Sequence, residues 1–132
     1  MKIAVFENEY DTVEVAFRYL NKKYYNNTII FENYPRSDSF QDVIKLADYD
    51  LIIIDLDLSS QSKLDGFGLI RKIEASFPEP HKILVLTGQN LTENYHIENG
   101  LKIKYPVLEK PMNYNKLYKK FIALGIKNPT PN

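Results

Sequence analysis

The sequence contains no cysteine, which excludes disulfide bonds, thiol catalysis and thiolate metal sites together. It has no excess charge of either sign, because 17 basic residues balance 17 acidic ones. Nothing therefore suggests a nucleic-acid or membrane surface. No apolar run is long enough to span a bilayer, and no apolar signal segment precedes Lys2. We expect a soluble, cytoplasmic protein.

The length of 132 residues suits one domain with a real core and leaves little room for a second. We predict that the domain covers residues 1–125 and that residues 126–132 form a short tail rich in Pro and Asn. No repeat, low-complexity tract or linker divides the chain, so the whole fold must be read from one alternating pattern.

Short apolar runs predict five strands. They cover residues 2–6, 28–31, the run that ends at Asp55, 82–86 and 103–108. The two asparagines at 26–27 mark a break before the second strand.

Apolar residues at helical spacing predict five helices. The first opens at Asp11, with Glu14 in a capping-box-like pairing. Asp38 or Ser39 caps the second. The inward stripe of this second helix is Phe40, Val43, Ile44 and Ala47. The third helix begins near residue 65 and stops before residue 78. The fourth covers 91–99, with Gly100 as its C-terminal cap, and the fifth covers about 113–124.

Five strands that alternate with five helices predict an α/β fold, a doubly wound parallel sheet with helices on both faces. Right-handed crossovers leave few ways to wind such a chain, and the flavodoxin-like strand order 2-1-3-4-5 is the usual one. Strands one and three are neighbours in this order, and a crevice opens at their carboxyl ends.

Asp55 ends an aliphatic run of the kind that forms a strand buried on both faces. An ionised carboxylate is costly to bury unless something pairs with it, so Asp55 indicates a functional site. Other polar residues follow the ends of the other strands and would face the same rim. They are Glu7, Asn8, Glu9, Asp57, Thr87 and Lys110.

In this order, these residues resemble the receiver domain of two-component response regulators, over essentially the whole chain. The matching pieces are the acidic turn Glu7-Asn8-Glu9, Ile-Ile-Ile-Asp55, Asp65-Gly66, Leu-Val-Leu-Thr87-Gly88 and Glu-Lys110-Pro111. Each piece is weak by itself. Together, each at the end of its own strand, they are specific.

The resemblance implies that Asp55 accepts a phosphoryl group from a histidine kinase and forms an acyl phosphate. Lys110 would pair with Asp55 at rest, and both Lys110 and Thr87 would contact phosphoryl oxygens after transfer. Gly88 would leave room beside the phosphoryl group, and the Lys110–Pro111 peptide bond would be cis. The resemblance also implies Mg²⁺ as the cofactor. Its ligands would be Glu7, Asn8, Asp55 and the backbone carbonyl of Asp57.

The implied partners are a histidine kinase or a histidine phosphotransfer protein, and a downstream protein target. With no output domain after Leu124, the protein would act by binding a partner or by passing the phosphoryl group on. We expect a monomer or a phosphorylation-dependent dimer. Beyond self-phosphorylation and autodephosphorylation at Asp55, no enzyme activity is expected.

Three positions depart from the receiver pattern. Asn8 stands where a second acid is usual, which removes one charge from the metal site. Val107 replaces the switch aromatic three residues before the lysine, and Tyr105 lies two residues further back on the same face by strand alternation. The loop from Asp55 to Gly66 is longer than usual and lacks the customary proline.

Other interpretations remain open. The chain could be a pseudo-receiver, a protein-binding module that works without phosphorylation. Asp55-Leu56-Asp57 also looks like the Asp-x-Asp of haloacid-dehalogenase-type phosphatases, but no acid follows Lys110. Taken singly, Glu7 and Glu9 could be helix N-terminal acids, and Thr87 and Lys110 could be a loop hydroxyl and a surface charge. Gln89 could orient a water, and a docking surface could form from Lys104, Tyr105, Tyr114 and Tyr118.

Overall fold

A computed structural model describes residues 1–37, 42–58, 64–77 and 82–129. Five strands form one sheet in the order 2-1-3-4-5, and all four pairings are parallel. The strands are β1 (Lys2–Phe6), β2 (Ile30–Tyr34), β3 (Leu51–Asp55), β4 (Ile83–Thr87) and β5 (Val107–Glu109). The predicted fold class and strand order are confirmed.

In the described ranges, four α-helices and one 3₁₀ helix cover the sheet. They are α1 (Tyr10–Tyr24), the 3₁₀ helix (Val43–Asp48), α2 (Gly66–Ser76), α3 (Tyr95–Glu98) and α4 (Tyr114–Ala123). α1 and α4 pack on one face of the sheet, whereas the 3₁₀ helix, α2 and α3 pack on the other. Within the described ranges, no helix is both long and apolar enough to cross a membrane.

The central strand β3 is buried along its whole length. Ile52 and Ile54 point to the face covered by α2, and Leu51 and Ile53 point to the face covered by α1 and α4. Burying one such aliphatic side chain stabilises the fold by roughly 1.5–3 kcal/mol. With both faces of β3 filled by apolar packing, a polar group can reach solvent only near the strand ends.

The predicted second α-helix is wrong in type. Residues 43–48 form a 3₁₀ helix whose cap is Asp42, and the Asp42 side chain accepts a hydrogen bond from Ile44 N at 3.1 Å. Because side chains three apart eclipse in a 3₁₀ helix, Val43 and Leu46 point inward while Ile44 and Ala47 are exposed. The predicted caps and Phe40 lie outside the described residues.

Two other helix predictions need correction. α1 begins at Tyr10, and its N-cap Glu9 makes no side-chain cap bond, so the capping box at Asp11 is wrong. Instead Thr12 Oγ1 donates to Glu9 O at 2.7 Å. α3 has only four residues rather than the predicted nine, because residues 92–95 form a turn before it. Gly100 follows with a φ of +70°, in the left-handed region that favours glycine.

Two strands are displaced from their predicted positions. β2 starts two residues late, because the left-handed Asn26 and Asn27 lead into a turn that includes Thr28. It then continues to Tyr34, three residues beyond the predicted end. β5 begins at Val107 rather than at 103, because Pro106 has no N–H to donate to a ladder.

Candidate functional site

The described residues contain four buried polar side chains. They are Glu7, Ser37, Asp55 and Thr87. Three of them follow or end β1, β3 and β4, and all three are predicted site residues. Asp55 is only 2% exposed, and Glu7 and Thr87 are fully buried. Since parallel strands end at one edge of the sheet, the topology brings these groups to the same edge, as the sequence predicted.

Lys110 joins two of these groups. Its Nζ donates to Glu7 Oε2 at 2.6 Å and to Asp55 Oδ2 at 3.1 Å. The interpretation of Lys110 as a solvated surface charge is therefore wrong. Its main chain is held as well, because Lys110 N donates to Thr87 O at 2.8 Å. The Lys110–Pro111 peptide bond is cis, as the resemblance implied.

Burial alone would lower the pKa of Lys110. Its hydrogen bonds to Glu7 and Asp55, together with the attraction of both carboxylates, outweigh burial and raise the pKa of Lys110 above its ordinary value. The ammonium group therefore stays charged across the physiological pH range. It supplies a fixed positive charge between the two acids.

Glu7 uses both carboxylate oxygens. Oε1 accepts a hydrogen bond from Glu9 N at 3.1 Å, and Oε2 accepts the one from Lys110. Burial raises the pKa of Glu7, and the neighbouring charge of Asp55 adds to the rise, while the bond from Lys110 opposes it. Glu7 is therefore more than a helix N-terminal acid.

Asp55 likewise uses both oxygens. Oδ1 accepts a hydrogen bond from Asp57 N at 3.0 Å, and Oδ2 accepts the one from Lys110. Two donors to one side chain fix its orientation. A buried, oriented carboxylate is the arrangement that a nucleophile needs.

Thr87 and Gln89 form the neighbouring wall. The Thr87 hydroxyl accepts a hydrogen bond from Gln89 N at 3.0 Å, so the hydroxyl proton can be donated to a ligand. The Gln89 side chain reaches Asp57 Oδ1 through Nε2 at 3.4 Å. This contact links the loop after β4 to the loop after β3, across the mouth of the site.

The structure separates the predicted metal ligands into two groups. Glu7 and Asp55 are buried, whereas Asn8 and Asp57 are exposed. Within the described residues, no three His, Cys, Asp or Glu side chains lie together as a metal-binding group. The available donors still suit Mg²⁺, which often takes one or two carboxylates and keeps several waters. Two buried carboxylates that share one ammonium group also leave a negative charge for a cation to balance.

Gly66 sets the backbone of Asp55. A Cβ on Gly66 would lie 2.6 Å from Asp55 O and 2.6 Å from Leu56 Cα, a distance that forces the backbone to shift. We expect Gly66→Ala to lower the free energy of unfolding by about 1–3 kcal/mol, even though Ala is the better helix former. Urea denaturation measures the loss.

Gly88→Ala is the matched control for that substitution, because a Cβ on Gly88 meets nothing within 4 Å. We expect its effect to stay within about 0.5 kcal/mol. Equal losses in the two variants would contradict the close approach of Gly66 to Asp55.

Tyr105 does not lie on a strand, contrary to the prediction. It is buried before β5, and its hydroxyl donates to Glu74 Oε2 at 2.7 Å. Its carbonyl accepts a hydrogen bond from the Tyr95 hydroxyl. Glu74 also accepts the N–H of Lys102 at 3.0 Å. Val107 is half-buried on β5 and packs against the same core cluster as Tyr105. The two residues therefore share a face, as predicted, although Tyr105 lies before the strand.

The proposed docking tyrosines pack within the chain. The Tyr118 ring stacks on Tyr24 with centroids 3.7 Å apart, and the Tyr114 ring lies 6.1 Å from Tyr19. Both belong to the contact between α1 and α4. His96 lies on α3 away from the site, and His81 lies outside the described residues.

One side chain near the site was missed by the sequence analysis. Asn33 Nδ2 on β2 donates to the main-chain carbonyl of Glu7 at 3.0 Å. The predicted second strand ended at residue 31, so Asn33 was not placed on any element. Its position next to the last residue of β2 gave no periodic signal that could have pointed to it.

Comparison with solved structures places the fold. A two-component response regulator from Clostridium difficile matches with a TM-score of 0.71 and 23% identity, over 98% of this chain and 99% of that one. The signal receiver domain of the DNA binding response regulator protein merR from Colwellia psychrerythraea 34H matches with a TM-score of 0.71 and 17% identity, over 96% of this chain and 99% of that one. The BeF3-activated N-terminal receiver domain of RstA from Klebsiella pneumoniae matches with a TM-score of 0.66 and 24% identity, over 93% of this chain and 97% of that one. No family model and no curated protein matches the sequence.

Proposed function

Because the fold is that of response regulator receiver domains, we propose that the protein is a phosphoacceptor receiver of a two-component or phosphorelay system. The observation that carries the proposal is the buried group of Asp55, Glu7 and Lys110 at the carboxyl ends of β1, β3 and β5. Receiver folds can host other roles, so the chemistry of this group must support the function.

In the proposed reaction, a carboxylate oxygen of Asp55 attacks the phosphorus of a phosphohistidine. The new O–P bond forms as the P–N bond breaks, and the leaving imidazole keeps the bonding electrons and takes up a proton. The hydrogen bonds from Asp57 N and Lys110 hold the carboxylate in place for an in-line attack. Lys110 then moves its positive charge toward a phosphoryl oxygen, and the Thr87 hydroxyl donates to another.

Glu7, Asn8, Asp55 and the backbone carbonyl of Asp57 would hold Mg²⁺. When bound, the ion would offset the negative charge of the carboxylates and of the phosphoryl oxygens. Since Asn8 carries no charge, we expect weaker Mg²⁺ binding than an acid at that position would give.

The proposed partners are a histidine kinase or histidine phosphotransfer protein, and a protein target that distinguishes the phosphorylated state. The protein would act in the cytoplasm as a monomer or as a phosphorylation-dependent dimer. It would be a signalling domain, and its own chemistry would be limited to gaining and losing the phosphoryl group on Asp55.

A pseudo-receiver is the second candidate function. Asn8 lacks the charge of an acid, it is exposed, and the described residues form no three-acid metal group. In this alternative, Lys110 stays paired with Glu7 and Asp55, and the fold serves only to bind a partner.

A titration with Mg²⁺ and beryllofluoride separates the two functions. Beryllofluoride mimics a phosphoryl group on a carboxylate, so the proposed receiver should show Mg²⁺-dependent amide shifts in NMR spectra at Thr87, Gln89 and Lys110. The Asp55→Asn variant should show none of the beryllofluoride shifts. A wild-type spectrum that does not change at high Mg²⁺, with or without beryllofluoride, would favour the pseudo-receiver.

A further inference from the structure

The end of β1 is held by the side chain of Asn33 on β2, which bonds to main-chain carbonyl groups. The last paired residues of these strands are Phe6 and Tyr34, so Glu7 lies one residue beyond the ladder. Glu7 N still donates to Tyr34 O at 3.2 Å. On the other side of the same residue, Asn33 Nδ2 donates to Glu7 O at 3.0 Å and also to Val5 O at 3.1 Å.

We propose that Asn33 is a positioning residue for Glu7, and through Glu7 for the cation site. The inference rests on the proposed function for its metal part. Its structural part, that Asn33 sets the position of the Glu7 carboxylate, stands on the hydrogen bonds alone.

The main chain needs Asn33 because β2 is an edge strand that ends at Tyr34. In the parallel register, where Glu7 N donates to Tyr34 O, the main-chain donor to Glu7 O would be residue 36, which lies beyond the end of β2. The Asn33 amide supplies a donor to the Glu7 carbonyl from the side chain. Glu7 is thereby bonded to β2 through both its N–H and its C=O, which fixes the point from which its side chain starts.

The fixed main chain matters because the Glu7 carboxylate is held by its own turn. Oε1 accepts from Glu9 N at 3.1 Å, and that N–H can reach it only if the 7–9 segment keeps its conformation. Asn8, a proposed Mg²⁺ ligand, lies between them. If the Glu7 carbonyl turned toward water, the position of the Glu7 carboxylate and the direction of Asn8 would change together.

The first test needs no metal. In Asn33→Leu, which keeps a similar volume but loses the amide donor, we expect the Glu9 amide to exchange with water about tenfold faster, relative to amides of β3, because a tenfold change corresponds to one modest hydrogen bond. Asn21→Leu is the matched control, since Asn21 also bonds main-chain atoms of one residue, Ile29, but far from Glu7. NMR exchange spectroscopy measures both rates.

Two outcomes of that test would overturn the inference. The Glu9 amide could keep its wild-type protection in Asn33→Leu, or it could lose as much protection in Asn21→Leu. The second outcome would mean that loss of any side-chain hydrogen bond near β2 loosens the turn of residues 7–9. Thermal unfolding of both variants establishes that each is folded when the rates are measured.

The second test uses Mg²⁺ alone, followed by amide shifts. Loss of a group that orients a metal ligand typically weakens metal affinity 10–100-fold. We expect Mg²⁺ to bind Asn33→Leu about tenfold more weakly than wild type, and Asn21→Leu with wild-type affinity. An equal Mg²⁺ affinity in wild type and Asn33→Leu would overturn the inference. If wild type itself does not respond to Mg²⁺, the proposed function fails, and the exchange test still decides whether Asn33 positions Glu7.

Discussion

Incubation with acetyl phosphate and Mg²⁺ should add one phosphoryl group to the wild-type protein and none to Asp55→Asn. The difference follows from the chemistry of the side chain, because a carboxylate oxygen is a nucleophile and an amide is a very poor one. Asn keeps nearly the same shape and can still pack beneath Lys110. Intact-mass spectrometry measures the added phosphoryl group, and peptide mapping locates it.

Asp57→Asn is the control for that prediction. Asp57 is an exposed acid two residues away, and its proposed contribution to the metal site is the backbone carbonyl, which the substitution keeps. We expect this variant to be modified like wild type. Modification of Asp55→Asn to the wild-type level would place the acceptor elsewhere, and an unmodified wild type at high Mg²⁺ would refute phosphoacceptance.

Replacement of Lys110 by Met is expected to lower the free energy of unfolding by about 3 kcal/mol at pH 7. Lys110 is the shared partner of Glu7 and Asp55, and removal of one member of a buried ion pair typically costs 3–5 kcal/mol. We expect the lower end of this range because Glu7 can take up a proton, which removes one of the two unpaired charges. Met retains most of the apolar stem, so the change isolates the charge.

The Lys110→Met deficit should shrink as the pH falls from 7 toward 5. The pKa of Glu7 is already raised above its ordinary 4.5 by burial and by the charge of Asp55, and loss of the Lys110 bond raises it further. A folded-state pKa above the unfolded value means that the folded protein binds the proton more tightly. The associated stability is complete below the unfolded pKa and is lost as pH rises through the folded one.

Urea denaturation at several pH values measures this deficit. Lys119→Met, on the exposed surface of α4, should stay within about 0.5 kcal/mol of wild type at every pH. Adding Asp55→Asn to Lys110→Met should recover part of the loss, because one unpaired acid is removed. A Lys110→Met deficit that does not change with pH would refute the proton uptake by Glu7.

The site was predictable where polar residues interrupt apolar runs. Asp55 and Thr87 end strands that are buried on both faces, and such strands are visible as aliphatic runs in the sequence. The right-handed crossover rule then brings the strand ends together without any knowledge of contacts. The sequence could not predict that Lys110 pairs with both Glu7 and Asp55, because that pairing depends on side-chain conformations.

Other features could not be predicted, because they depend on individual side chains and not on the periodicity of apolar residues. Asp42 caps residues 43–48 into a 3₁₀ helix, although the spacing of apolar residues suits an α-helix equally well. Pro106 delays β5 and leaves Tyr105 off the sheet. Asn33 bonds a carbonyl 26 residues away through its side chain, and no pattern along the chain encodes that contact.

The anchoring of Tyr105 limits how this protein could report a change at its site. To rotate outward, Tyr105 must lose its hydrogen bond to the Glu74 carboxyl group and expose a ring that is now only 5% accessible. The two losses together are about 4 kcal/mol, so a rotated-out Tyr105 would be populated in roughly one molecule in a thousand. A change at the site that uses Tyr105 as its reporter must therefore supply this free energy. The hydrogen bond that joins Thr87 O to Lys110 N offers a second connection, through the main chain.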